Sequence, residues 1–510
     1  MDALTIAFKE VFQIHTLLLM AVGVTAGIVT GAIPGFTITM AVALALPFTF
    51  GMDPITGVAV LMSVVAGGAS GGLIPSCLLG IPGTPSSIAT VFDGYPMVKK
   101  GEPGKALAVG LWSGFFGMLI AGAALILFAP LLANWALEFG PWEMFALMFF
   151  GMTSIASVAG DSLAKGLFAG FIGLLFACVG MDPVLGQYRF TFGWVQLYGG
   201  FNFLPVLVGI FAFSQLLEDL LKSDLQPRDL KIDKDIDVGF PIISTLKLFG
   251  KQKMSTFVSS LVGIFVGVLP AAGGSIANIM AYDVCKKTSK HPELYGTGIP
   301  DGIIAAEASN NAVMGGDLIP TLSFGIPGDA TTAMLLGGLM IHGIQPGPML
   351  MVNQPVLVNA VFISFFVAAI LMVLIQQVGL RLFIKVNDIP QHYLIPLILA
   401  LCCLGSYAVN NRIFDVWVLL GFGFLGFILK INDYPLAPVI LGIILGPMME
   451  ANFRRALMTS MDISLFFTRP ISCVLILLGL ASIAYALVSA QKVKKREMEM
   501  ERELEAAKNI

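Results

Sequence analysis

The sequence has few charged residues. Only 12% of its 510 residues are Asp, Glu, Lys or Arg, 57% are hydrophobic, and the mean hydropathy is +0.88. Soluble domains carry about 25% charged residues, so this composition excludes a soluble globular protein. The charges are also clustered, because 25 of the 61 lie in residues 218–253 and 491–510. We therefore expect most of the chain to lie where charge is unfavourable, with two segments in water.

Residue patterns of several catalytic and binding functions are also missing. The four histidines are scattered, the six cysteines have no CxxC spacing, and no GxxxxGK[ST] motif occurs. Zinc sites, disulfide frameworks and P-loop ATP hydrolysis are therefore not predicted. An intramembrane enzyme would need a metal set or a nucleophile with a base, so we predict that the chain is not an enzyme. A net charge of −3 without a basic face argues against nucleic-acid binding.

Long apolar runs are abundant instead. A helix needs about 20 apolar residues to cross a bilayer, and runs of this kind occur at 105–130, 356–378 and 470–489. The sequence therefore predicts an all-α polytopic integral membrane protein.

The chain contains an internal repeat. The string GIVTGAIPGFTIT (27–39) matches GIFVGVLPAAGGS (263–275), and GGLIPSCLLGIPGTPSS (71–87) matches GGDLIPTLSFGIPGDATT (315–332). Nearly constant offsets between such matches indicate two structural repeats. The predicted organisation is repeat 1 at 11–221, a cytoplasmic connector at 222–253, repeat 2 at 254–450, one extra transmembrane span within 451–490, and a charged cytoplasmic tail at 491–510.

The basic residues indicate that the two repeats have opposite orientations. Lys99, Lys100 and Lys105 follow the GIPG motif of repeat 1, whereas the basic loop KKTSKHPE (286–293) precedes the motif of repeat 2. Because Lys and Arg collect in cytoplasmic loops, corresponding loops are expected on opposite sides of the membrane. The repeats are therefore predicted to be inverted. Arg454 and Arg455 violate this scheme, since they would lie outside.

Glycine and proline interrupt each repeat twice. GAIPGFT (31–37) and GVLPAAGGS (267–275) fall in the middle of segments that begin and end on the same side, which predicts re-entrant hairpins with tips at Pro34 and Pro270. The segments 55–98 and 300–342 each make one crossing with a GIPG interruption, which predicts discontinuous helices. Purely structural hinges are the alternative explanation for these breaks.

The GIPG motifs predict a central binding site. A helix that resumes after GIPG presents free amides and a positive end, which favour an anion, and paired broken helices in inverted repeats surround the substrate of many transporters. The predicted substrate-binding residues are Gly83, Thr84, Ser86, Ser87, Ser275, Gly328, Thr331 and Thr332.

Unwound carbonyls and acidic or amide side chains near the breaks predict a cation-coupling site, with sodium as a possible coupling ion. The predicted residues are Pro34, Gly35, Pro82, Pro270, Asn310, Asn311, Pro327 and Asp329. Asp329 stands where repeat 1 has Thr84, and Glu307 and Asp317 are the alternative acidic residues. Ser70 is the expected counterpart in repeat 1 of Ser309, Asn310 and Asn311.

These motifs resemble a known family. GIPGTPSS (80–87), FDGYPMVKKGEPGKAL (92–107), NNAVMGGDLIPTLSFGIPGD (310–329) and LLGGLMIHGIQPGP (335–348) are similar to the large membrane subunit of the tripartite tricarboxylate transporters. The resemblance covers about residues 15–490. It implies a multi-pass subunit in the bacterial inner membrane that imports tricarboxylates or other carboxylates, driven by a sodium or proton gradient. It also implies two partners, a periplasmic substrate-binding protein and a small membrane subunit of four helices.

The resemblance and the clustering of the breaks also suggest an elevator-type movement of the hairpins and broken helices as one unit. A stand-alone cation-coupled anion transporter without a binding protein is the alternative, and an uncoupled channel is a third possibility.

Overall fold

The computed structural model describes residues 2–158, 162–182, 185–223, 241–270, 272–386, 391–484 and 487–488. Most of the predicted connector 222–253 and the whole predicted tail 491–510 lie outside the described residues. Within them the chain is almost wholly helical, which confirms the all-α class. The only strands in these ranges, β1 (Gly180–Met181) and β2 (Tyr188–Arg189), pair antiparallel.

The helices in chain order are α1 (Ala3–Val11), α2 (Ile14–Ala32), α3 (Ile38–Thr49), α4 (Pro54–Gly71), α5 (Leu73–Leu78), α6 (Thr90–Lys99), α7 (Pro103–Ala136), α8 (Pro141–Val158), α9 (Leu163–Ala177), α10 (Phe203–Leu207), α11 (Ser214–Ser223), α12 (Ile242–Lys251), α13 (Lys253–Val268), α14 (Gly273–Thr288), α15 (Pro300–Phe324), α16 (Ala330–Ile341), α17 (Pro348–Asn353), α18 (Pro355–Lys385), α19 (Gln391–Asn410), α20 (Ile413–Ile431), α21 (Ala437–Thr459), α22 (Leu465–Thr468) and α23 (Pro470–Ala484). Short 3-10 turns occur at Pro85–Ser87, Val195–Leu197 and Pro292–Leu294, and a π-helical segment, Val208–Phe213, joins α10 to α11.

Six helical segments of the described residues are long and apolar enough to cross a membrane. They are Ile14–Ala32, Pro54–Leu78, Pro103–Ala136, Phe203–Leu221, Pro355–Lys385 and Ile413–Ile431. The protein is therefore a multi-pass membrane protein. The helix Pro470–Ala484 in the predicted extra span is apolar but shorter.

The first break of each repeat separates two helices. Helix α2 ends at Ala32 and α3 begins at Ile38, while α13 ends at Val268 and α14 begins at Gly273. The two halves are not alike in length, since α2 has 19 residues and is long enough to cross a bilayer whereas α13 has 16. The re-entrant path of these two segments stays a prediction.

Glycines bring the helices of each repeat into backbone contact. A Cβ atom on Gly27 of α2 would lie 2.2 Å from the Val64 carbonyl oxygen of α4, and one on Gly263 of α13 would lie 2.5 Å from the Ser309 carbonyl oxygen of α15. No Cβ atom fits at such distances, so only glycine permits this approach. Gly27 and Gly263 are the residues that the repeat alignment pairs, which supports a common ancestry of the two helix pairs.

The chain forms two compact units, and each draws on both repeats. The first contains Met1–Leu137 and Asn202–Phe427, and the second contains Glu138–Phe201 and Ile428–Ile510. In the first unit, the last helical segment of repeat 1 packs on α19 and α20 of repeat 2, with Gly209 against the Leu419 carbonyl group. In the second unit, α21 of repeat 2 packs on α8 and α9 of repeat 1, with Gly173 against the Val439 carbonyl group. In each unit, the last helical segment of one repeat therefore packs on the preceding helices of the other repeat, which supports the two-repeat interpretation.

Arg454, which violates the predicted charge scheme, forms ion pairs within the second unit. Arg454 lies within 4 Å of both Asp182 and Glu450, and Arg189 donates to the two oxygens of Glu450 at 2.6 and 3.0 Å. Two arginines and two carboxylates therefore neutralise each other in one partly buried cluster.

In the first unit, Asp93 joins α6 to the loop before α15. Its side chain is fully buried and accepts hydrogen bonds from the amides of Gly296, Gly298 and Ile299 at 2.7–3.1 Å and from the Tyr282 hydroxyl at 2.7 Å. The carboxylate thus holds the loop against α6, and two of its donors, the Gly298 amide and the Tyr282 hydroxyl, are buried.

We expect Asp93→Ala to destabilise the protein by at least about 3 kcal/mol, because the buried Gly298 amide and Tyr282 hydroxyl and two further amides would lose their acceptor. The apparent melting temperature of the detergent-purified protein measures this. Asp283→Ala is the matched control, since Asp283 forms only an exposed ion pair with Lys287, and such pairs contribute about 0–1 kcal/mol. Equal melting temperatures of the two variants would contradict the assigned role of Asp93.

Candidate binding site at the paired GIPG turns

The two GIPG motifs form turns of the same kind. In the first GIPG turn (80–83) and the second GIPG turn (325–328), the leading glycine has a left-handed backbone, with φ of 69° at Gly80 and 73° at Gly325. Side chains other than glycine rarely adopt this conformation. Gly80 and Gly325 are thus turn residues that our sequence analysis did not single out, although the motif itself contains the signal.

The closing glycine of each turn has a different role. A Cβ atom on Gly83 would lie 2.6 Å from the Gly31 carbonyl oxygen, and a Cβ atom on Gly328 would lie 2.6 Å from the Gly267 carbonyl oxygen. Each GIPG turn therefore rests directly on the last turn of the helix before the first break of the same repeat. The structure thus brings Pro82 and Pro327 close to the breaks that carry Pro34 and Pro270.

Both turns end in a reciprocal side-chain cap. The Thr84 amide donates to Ser87 Oγ at 3.2 Å, and the Asp329 amide donates to Thr332 Oγ1 at 2.9 Å. The Thr332 amide in turn donates to Asp329 Oδ1 at 2.7 Å. Thr84, Ser87, Asp329 and Thr332 are therefore capping residues, and Asp329 is at least a helix cap.

The two repeats differ in the segment that comes after the cap. In repeat 2 the helix α16 starts at once at Ala330. In repeat 1 a 3-10 turn, Pro85–Ser87, comes first and α6 begins only at Thr90. In repeat 1 the helix therefore resumes only after this turn, since Pro85 starts a tight turn and Ser87 satisfies the cap within it.

The helices after the first breaks contact hydroxyl-bearing residues of the other repeat. Thr39 Oγ1 of α3 lies 3.2 Å from Thr331 Oγ1 of α16. In the corresponding place, a Cβ atom on Gly274 of α14 would lie 2.7 Å from the Ser86 Cβ atom. Each helix that comes after a first break thus contacts the GIPG cap of the other repeat. Ser275, next to Gly274, is partly buried.

A buried polar cluster lies on α15. Glu307 is fully buried and accepts hydrogen bonds from Thr90 Oγ1 and, at 3.4–3.5 Å, from the side-chain amides of Asn310 and Asn311. The Oδ1 atoms of both asparagines are buried without a partner among the described residues. The Asn310 oxygen faces Gly274, whose Cβ position is 3.5 Å away. Asn310 therefore borders the same cross-repeat contact as Ser86.

The prediction that Ser70 is the counterpart of this cluster in repeat 1 is wrong. Ser70 donates to Gln376 Oε1 of α18 at 2.5 Å and accepts from the Gln376 side chain through its carbonyl group at 3.1 Å. The glycine contacts pair Ser309 with Val64. Asn310 and Asn311 then correspond to Val65 and Ala66, so the polar cluster exists only in repeat 2.

Gly35 and Asp317 lie in contrasting surroundings. Gly35, beside Pro34, is exposed with φ of 98°, and its Cβ position is 4.0 Å from an Asp219 oxygen. Asp317, considered only as an alternative, is buried against Gly328 of the second GIPG turn. In the described ranges, no group of three or more His, Cys, Asp or Glu side chains is arranged to hold a metal ion.

The sequence comparisons decide the family. Residues 17–441 match the sequence profile of the "Tripartite tricarboxylate transporter TctA family". The chain belongs to the TctA family. This confirms the resemblance, and it identifies the chain as a member of a transporter family whose systems have three components.

Two similar proteins come from Agrobacterium vitis. The chain is 34% identical over 503 residues, 98% of both chains, to the "Uncharacterized 52.8 kDa protein in TAR-I ttuC' 3'region". It is also 34% identical over 241 residues, 47% of this chain and 99% of the other, to the "Uncharacterized protein in TAR-II ttuC' 3'region". No solved structure matches this TctA-family chain.

Proposed function

We propose that this TctA-family protein is the large permease subunit of a secondary transporter that imports tricarboxylates or other organic carboxylates. One observation carries the proposal. The GIPG cap of each repeat contacts the helix after the first break of the other repeat, through Thr39 with Thr331 and Gly274 with Ser86. Four broken segments therefore converge within one compact unit, as expected for a transporter's central site.

The chemistry of this convergence suits a carboxylate. Ser86 and Thr331 are 8% and 7% exposed, so a ligand would find their hydroxyl groups in largely dry surroundings. Helix α16 has 12 residues and points its N-terminal end to the same place, where a negative charge is favoured. Hydroxyls and helix amides together are the donors that a carboxylate needs.

Asp329 gives a reason why the carboxylate substrate and a cation would bind together. It is the N-cap of α16 and would repel a carboxylate that approached the same helix end. A bound cation would cancel that repulsion, so anion and cation would each favour the binding of the other. This supports transport driven by a sodium or proton gradient.

The three-component nature of the family supports the proposed partners. A periplasmic binding protein would deliver the carboxylate, and a small four-helix subunit would complete the permease in the bacterial inner membrane. Both pairs of broken helices belong to the first compact unit, which supports their movement together during transport.

Uptake by proteoliposomes tests the proposal. We expect the subunit, reconstituted with its binding protein and small subunit, to accumulate labelled citrate or another carboxylate only under an ion gradient. Omission of the binding protein distinguishes the tripartite transporter from the stand-alone alternative. Equal flux after collapse of the ion gradients would indicate a channel, and no flux of any di- or tricarboxylate would refute the proposal.

A further inference from the structure

The buried carboxylate of Asp317 lies against the second GIPG turn. Asp317 of α15 is 2% exposed, and its Oδ1 atom has no hydrogen-bond partner within the described residues. An unpaired charge is costly in such surroundings. Asp329, by contrast, uses its Oδ1 atom to cap α16.

The unpaired oxygen converges with a backbone carbonyl group. The Cβ position of Gly328 lies 2.4 Å from Asp317 Oδ1 and 2.6 Å from the Gly267 carbonyl oxygen. Gly267 belongs to the last turn of α13, where helix carbonyls lack intrahelical donors and the helix dipole is negative. Both oxygen atoms therefore pack against Gly328 and lie within about 5 Å of each other.

Repeat 1 provides an internal comparison. There the Cβ position of Gly83 lies 2.6 Å from the Gly31 carbonyl oxygen and 2.8 Å from the Cα atom of Gly72. Gly72 thus occupies the place of Asp317, and the turn forms with the same backbone contact but without a carboxylate. The carboxylate is therefore not required to build the turn, and another reason must offset the cost of burying it.

We propose that Asp317, together with the Gly267 carbonyl group, binds a monovalent hard cation such as Na⁺ beside the second GIPG turn. This rests on the proposed transport function and assigns its coupling ion to a site in repeat 2 alone. Carboxylate and carbonyl oxygens are suitable ligands for such a cation. A divalent metal is disfavoured, because the described residues hold no set of three acidic, His or Cys side chains around one point.

The charge of Asp329 strengthens the site. Its Cβ atom is 3.4 Å from the Cβ position of Gly273, at the start of α14. Asp329 also directly follows Gly328, which packs against Asp317 Oδ1, so the two carboxylates would repel each other. A cation at Asp317 would relieve that repulsion. It would also lie beside the end of α16 at which we place the carboxylate substrate, so the two ligands would stabilise each other.

Equilibrium binding of ²²Na⁺ to the full-length protein in detergent at pH 8, with choline as the replacement cation, tests the assignment. We expect saturable binding to the wild type and affinity at least about tenfold weaker in Asp317→Asn and Asp317→Gly. The glycine variant introduces the residue that repeat 1 itself uses, so it is the variant most compatible with the fold. Asp283→Asn, at an exposed ion pair, is the control and should bind like the wild type.

Thermal stability shows whether Asp317 is a cation ligand or only a structural residue. Sodium should raise the melting temperature of the wild type and of Asp283→Asn, but not that of the two Asp317 variants, which should elute as monodisperse species. Wild-type sodium binding in Asp317→Gly would overturn the assignment, and so would a wild type that binds no sodium at all. Carboxylate uptake driven by a proton gradient in sodium-free buffer would refute this site while leaving the proposed transport function intact.

Discussion

Gly83→Val and Gly328→Val should each abolish carboxylate uptake while the protein still inserts into the membrane. The reason is steric, since neither glycine has a left-handed backbone. A Cβ atom would lie 2.6 Å from the Gly31 carbonyl oxygen in one case and 2.4 Å from Asp317 Oδ1 in the other. Backbone and buried carboxylate cannot move aside without opening the turn, and overpacking of this kind costs about 1–3 kcal/mol or more.

Uptake per unit of protein in the membrane measures this result, with gel filtration to check folding. Gly250→Val is the matched control, because a Cβ atom on Gly250 meets nothing within 4 Å, and we expect its uptake to stay near that of the wild type. The two alanine variants, Gly83→Ala and Gly328→Ala, should retain less than about one tenth of the uptake, because even the Cβ atom collides. Normal uptake by both valine variants would show that the GIPG turns are packing features only.

Asp329→Asn should leave the protein folded but change the dependence of uptake on sodium or pH. Repeat 1 has Thr84 at the matching place with the same reciprocal cap, so the fold does not demand a carboxylate there. The negative charge follows Gly328, which packs against the buried Asp317, so its loss should weaken cation binding. The loss should be smaller than that in Asp317→Asn, because Asp329 already uses one oxygen for the helix cap.

Two variants separate the cap from the charge. Asp329→Thr restores the residue of repeat 1, so it keeps a capping oxygen and removes the charge, whereas Thr332→Ala weakens the cap and keeps the charge. We expect altered cation dependence in Asp329→Thr, and reduced stability with unaltered cation dependence in Thr332→Ala. Unchanged dependence on both sodium and pH in Asp329→Asn and Asp329→Thr would leave Asp329 as a helix cap alone.

Much of this protein could be predicted from the sequence because the signals are local. Hydropathy is a property of consecutive residues, so the apolar runs revealed the helical membrane class. Proline fixes its own φ angle and glycine permits a left-handed backbone, so the GIPG strings revealed the turns at 80–83 and 325–328. The caps at Thr84 and Asp329 depend on residues three positions apart. The repeat was legible because both halves preserve these local features.

The partners of each segment were decided only by the tertiary structure. A helix that is apolar on all sides carries no periodic signal that identifies its neighbour. The contact of Ser70 with Gln376 could therefore not be predicted. The packing of the last helix of each repeat on helices of the other repeat could not be predicted either. The meeting of Thr39 with Thr331 spans 292 positions. The same limit applied to Asp317 and Asp329. Both residues are acidic and close to a GIPG motif. Only the packing shows that Asp329 is hydrogen-bonded to Thr332, while Asp317 Oδ1 is buried without a partner among the described residues. Burial depends on atoms that are distant in the chain.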